Sequence, residues 1–72
     1  MEEKKNQLIY DLIFSDETEF IIDISEYIEN IYKYEDFIIE IKKILKKSKV
    51  SIKDSYINTD IKTVIWELKV SK

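Results

Sequence analysis

From Ser25 to Lys49 the chain carries an apolar stripe at helical spacing, and this stretch takes up about a third of its 72 residues. Tyr27, Ile31, Tyr34, Ile38, Ile41 and Leu45 recur at steps of three and four, and Phe37 and Ile44 widen the stripe. Ser25 is a candidate N-cap, and Asp23, three residues before Glu26, offers an alternative capping box. Glu26 and Glu29 stand near the start of the segment and five lysines crowd its end, as the helix dipole favours. The spacing predicts one long helix over residues 25–49, lying on a layer built by the flanking segments.

The flanks suggest strands. In residues 7–14, Leu8, Tyr10, Leu12 and Phe14 alternate as on a strand, although Leu8, Ile9, Leu12 and Ile13 also match a helical face. "SDET" (15–18) is a polar turn of hairpin length, and the Ile- and Phe-rich "EFIIDIS" after it is too short for an independent helix. Residues 50–57 alternate, "NTD" (58–60) reads as a turn with Asn58 as its left-handed residue, and residues 61–70 alternate again. There Val64, Trp66, Leu68 and Val70 share one face. The expectation is one α+β domain over residues 1–72: ββαββ, a four-stranded antiparallel sheet with one long helix across one face. The alternative keeps an N-terminal helix, αβαββ.

Missing residue types exclude much chemistry. Without cysteine there is no disulfide, and without histidine the usual zinc and copper ligand sets cannot form. The common nucleophile–base pairs are absent as well. Ser48 lies beside Lys47 and Lys49, but adjacent helical residues do not face one another. No glycine is present to bring a backbone close to a phosphate or to turn an EF-hand loop. The sequence therefore points to a non-enzyme with no cofactor and no metal. It shows no apolar run of membrane-spanning length and no signal peptide, which makes cytoplasmic the expected location. Ala, Gly, Pro and Arg are missing while Ile, Lys and Tyr are abundant, the signature of an AT-rich genome.

Charge is split along the chain. Residues 1–40 hold 12 acids and 3 lysines, a net of −9; residues 41–72 hold 9 lysines and 3 acids, a net of +6. Such asymmetry points to charged partners. On the acidic side, Asp16, Glu17, Glu19, Glu26, Glu29, Asp36 and Glu40 are the candidate contacts for a larger protein with a basic surface. Carboxylates two apart on a strand stand about 6.6 Å apart and could imitate a phosphate track. In size, charge and composition the chain resembles small acidic viral inhibitors of restriction and CRISPR nucleases, and no motif ties it to a family. On the basic side, Lys42, Lys43, Lys46, Lys47 and Lys49 are the alternative, a nucleic-acid-binding helix end. They lack the arginine that reads bases bidentately.

Apolar residues are also left over. A helical wheel puts Ile28, Tyr32 and Ile39 off the core stripe, and strand phases turn Ile9, Ile13, Ile21, Ile57 and Ile65 away from the helix. A contiguous patch of this kind marks an interface, and a homodimer is its simplest occupant. The function expected is thus a stoichiometric protein binder or inhibitor. A structural subunit of a larger assembly is the further alternative.

Overall fold

The computed structural model describes residues 2–72, with the backbone alone at residue 2. The elements are helix α1 (Glu2–Phe14), strand β1 (Glu19–Asp23), two 3-10 turns (Ile24–Glu26 and Ile31–Lys33), helix α2 (Tyr34–Lys47), and strands β2 (Ser51–Thr59) and β3 (Val64–Ser71). The sheet is three-stranded and antiparallel, in the order β1-β3-β2.

This corrects the expected ββαββ architecture in two places. Residues 7–14, expected as the first strand of a hairpin, belong to a helix over residues 2–14, as in the αβαββ alternative, so there are two helices and three strands. The segment satisfied both periods, and burial decides between them. Leu8 and Leu12, one helical turn apart, enter the core, while Tyr10 and Phe14 stay exposed. Ile9 and Ile13, assigned to the outer face of a strand, pack partly buried against the same core from α1. Strand β1 pairs with β3 instead, Ile22 opposite Trp66.

The long helix is also shorter than its stripe. Between Ile24 and Lys33 the chain makes two 3-10 turns, each started by a side-chain cap. The Asp23 carboxylate accepts from the Ser25 N–H at 3.1 Å, and the Asn30 side chain accepts from the Tyr32 N–H at 3.0 Å. Asp and Asn offer the backbone such local bonds in competition with the helical ladder. Tyr27 and Ile31 still reach the core surface, but not from a common helix.

Helix α2 ends in a Schellman motif. The Lys49 N–H donates to the Lys46 carbonyl at 3.1 Å and the Val50 N–H to the Leu45 carbonyl at 2.9 Å. Leu45 and Val50 are both buried, supplying the apolar contact that accompanies this motif. Lys49 takes the left-handed conformation, φ 62°. Asn58 does not. It lies within β2 opposite Ile65, and the turn falls at 60–63, where the Asp60 N–H donates to the Thr63 carbonyl at 2.8 Å. The Asp60 carboxylate accepts from the Ile61 N–H at 2.7 Å, so aspartate supplies the turn chemistry two residues later than expected.

The core lies on one face of the sheet. Val64, Trp66, Leu68 and Val70 of β3 meet Leu8 and Leu12 of α1 and Phe37, Ile38, Ile41 and Leu45 of α2. Burying one such large side chain stabilises the fold by about 1.5–3 kcal/mol. The fully buried Trp66 donates its indole N–H to Ser55 Oγ at 2.8 Å. Both helices put their buried residues on this face, so among the described residues no layer covers the other face of the sheet. Among the described residues no helix is long and apolar enough to cross a membrane.

Candidate functional site

Strand alternation fixes what the uncovered face presents. With Trp66 and Leu68 turned into the core, Ile65, Glu67 and Lys69 of β3 point outward. Their partners share that face: Asp23, Ile21 and Glu19 on β1, and Asn58, Tyr56 and Asp54 on β2. Glu67 therefore stands between Ile21 and Tyr56, which are 76% and 61% exposed. Lys69 stands between Glu19 and Asp54 and pairs with Glu19 at 3.2 Å.

Glu19, Ile21, Asp54, Tyr56, Glu67 and Lys69 line a shallow depression of about 380 Å3. Three carboxylates face one ammonium there. The Asp54 carboxylate also accepts from the Ser55 N–H at 3.0 Å. Among the described residues the Glu67 carboxylate has no ion-pair or hydrogen-bond partner. The depression thus joins an unneutralised carboxylate to an exposed aromatic ring and an exposed isoleucine.

The other expected acids are placed differently. Asp16 and Glu17 lie exposed in the connection between α1 and β1. Glu26 is on the first 3-10 turn and pairs with Lys4 of α1 at 3.4 Å. Glu40 of α2 pairs with Lys5 of α1 at 2.6 Å. Glu29, Asp36 and Glu40 share a hollow of about 370 Å3, but Lys5 and Lys33 line it too. Glu26, Glu29, Asp36 and Glu40 do not form one helical row, since only the last two belong to α2. With residues 7–14 as a strand, nothing brings Lys4 and Lys5 to these acids; the helix over residues 2–14 does.

The apolar flank expected on the long helix does not exist as one surface. Ile28 precedes the second 3-10 turn and packs partly buried against the core. Tyr32, 89% exposed, is on that turn, and Ile39 is exposed on α2. Of the isoleucines assigned to the outer sheet face, Ile21 and Ile65 are there. Ile57 is not: it shares Trp66's face, on the edge strand β2, where it is still 38% exposed. At the end of α1, Tyr10 and Phe14 form a further exposed pair, ring centroids 4.9 Å apart.

The lysines do come together. Lys42, Lys46 and Lys49 line a hollow of about 500 Å3 with Val50, Ser51 and Ile52, and Lys43 and Lys47 are exposed beside them. Among the described residues none of the five makes an ion pair. No group of three acidic side chains among the described residues is placed to hold a metal ion.

No protein-family model matches this chain, and neither the curated proteins nor the solved structures contain a significant match. The functional reading therefore rests on the surfaces alone.

Of the residues lining the sheet-face depression, the sequence does not single out Asp54, Tyr56, Glu67 or Lys69 as candidates. Glu67 lies next to Trp66 in an alternating strand, so its outward direction was available from the sequence. It is one of only three acids in residues 41–72, a segment whose net charge is +6.

Proposed function

We propose that the chain is a non-catalytic binding module that takes a basic, partly apolar segment of a larger protein on its open sheet face. The carrying observation is Glu67, without an ionic partner among the described residues, between exposed Ile21 and Tyr56. A guanidinium or ammonium placed there meets a carboxylate and the face of a tyrosine ring, and its aliphatic stem lies on isoleucine. Glu19, Glu67 and Asp54 lie on three different strands, with apolar Ile21 and Tyr56 on either side of Glu67, and do not line up in a track. That favours a protein segment over imitation of nucleic acid. Stoichiometric inhibition of an enzyme with a basic cleft, such as a nuclease, is the most specific form of the proposal.

The second reading is anion binding at Lys42, Lys46 and Lys49, favoured by their convergence on one hollow. Fluorescence anisotropy separates the two. A labelled peptide of alternating arginine and leucine, labelled duplex DNA and labelled single-stranded RNA are each titrated at low and physiological salt. The first reading predicts peptide binding that survives physiological salt, with no saturable nucleic-acid binding. Nucleic-acid binding that falls steeply with salt, without peptide binding, overturns it.

A further inference from the structure

Strand β2 is a long free edge. Its nine residues pair on one side only, with β3, and all but Ile52 are exposed. Proteins blunt such edges with proline, charge or a bulge. Here the bulge lies near one end, where Lys53 is the extra residue between Ile52 and Asp54. From Asp54 to Thr59 the strand has one charge and no proline or glycine. Over all of β2 one lysine offsets one aspartate, in a chain whose residues are 38% charged.

We infer that two copies of this chain pair antiparallel through β2, about a twofold axis at Tyr56. A twofold contact sets a surface against itself. The acidic sheet face and the lysine-rich end of α2 would each oppose like charges, whereas the net-neutral β2 edge does not. The axis stands perpendicular to the sheet, so every residue keeps its face and the residue on the axis meets its own copy. At Asp54 that would oppose two carboxylates. At Ser55 it draws both bulges inside the ladder, and at Ile57 it shortens the ladder. At Tyr56 the bulges stay at the ends. Asp54 then meets Asn58 of the second copy, a carboxylate acceptor beside an amide donor, on both sides of the axis. The product is a six-stranded sheet with both acidic faces on one side and all four helices on the other.

The chain has no cysteine, so a single introduced thiol reports its own neighbour. Directly opposed residues in an antiparallel pair have Cα atoms about 4.5–5.5 Å apart, within disulfide range. Sedimentation equilibrium of the unmodified chain, from micromolar to submillimolar, is predicted to show a monomer–dimer equilibrium. Under mild oxidation Tyr56→Cys forms covalent dimer about tenfold faster than Ile39→Cys, whose site is exposed on α2. Tyr56→Glu opposes two carboxylates on the axis and weakens the dimer about fivefold; because it also faces Glu67 of its own chain, its melting transition falls while its far-UV spectrum stays that of the parent. A chain monomeric throughout, Ile39→Cys cross-linking as fast as Tyr56→Cys, or association unchanged in Tyr56→Glu overturns the inference. No peptide or target enters these measurements, so their outcome is separate from that of the basic-segment proposal.

Discussion

Ile21 and Tyr56 flank Glu67 from opposite sides of the central strand, one on each neighbouring strand. The three form a row across the whole width of the sheet. Its charged member lies in the middle, and its two apolar members keep most of their surface exposed. Interfaces concentrate affinity in a few central anchors with a polar surround. This row supplies instead one charged anchor with an apolar residue on each side, and Glu19, Asp54 and Lys69 lie beside it.

The acids should therefore divide into two groups. Glu67→Lys is expected to weaken binding of the arginine–leucine peptide about tenfold or more, equivalent to about 1.4 kcal/mol. Glu26→Gln and Glu40→Gln, whose parents pair with Lys4 and Lys5 near the surface, should change it less than about twofold. Calorimetric titration of each variant checks this. Equal losses across both groups would mean that net charge alone drives binding.

Ser55 is expected to matter for stability through Trp66. Ser55→Ala leaves the buried indole N–H without its acceptor at 2.8 Å, at a cost of about 1–2 kcal/mol. Trp66 is the only tryptophan, so urea unfolding followed by its fluorescence reads the change directly. A shift below about 0.3 kcal/mol would show that the bond adds nothing net.

Lys49 carries backbone strain that glycine would relieve. Its φ of 62° is the left-handed value that a Schellman motif requires and a side chain disfavours. Lys49→Gly is expected to stabilise the fold by about 0.5–1 kcal/mol, after the extra unfolded-state entropy of glycine. Thermal melts should show a rise in Tm, and an unchanged or lower Tm would contradict this account of the cap.

Lys72 closes the other helix end. Its Nζ donates to the Ser15 carbonyl at 2.6 Å and the Asp11 carbonyl at 3.2 Å, and lies 5.2 Å from the centre of the Phe20 ring. Lys72→Met keeps the aliphatic stem and removes those donors. Because the site is exposed, the expected loss is only about 0.5 kcal/mol. It should show as faster amide exchange in the last turn of α1. Unchanged exchange there would contradict the capping role.

How much of this was legible depended on whether one period or two fitted a segment. In β3 a single period fits, and the four residues assigned to the inner face, Val64, Trp66, Leu68 and Val70, are all buried. In α2 the stripe marks Ile38, Ile41 and Leu45 correctly for the same reason. Residues 7–14 satisfied both periods, and only contact with the rest of the core selects the helix. The stripe from Tyr27 to Tyr34 was misleading. Its spacing is helical, yet the caps at Asp23 and Asn30 bend that stretch into short turns that reach the same core. The site suffered most from this. An extended α1 hides the Lys4–Glu26 and Lys5–Glu40 pairs, and an over-long helix lines up acids that the structure separates.

The most direct test of the open-face proposal is an amide-shift map of the isotope-labelled chain during titration with the arginine–leucine peptide at physiological salt. The account predicts saturable shifts concentrated at Glu19, Ile21, Asp54, Tyr56, Glu67 and Lys69, lost in Glu67→Lys and retained in Glu40→Lys. Shifts centred on Glu29, Asp36 and Glu40, or spread evenly over every exposed acid, would contradict it.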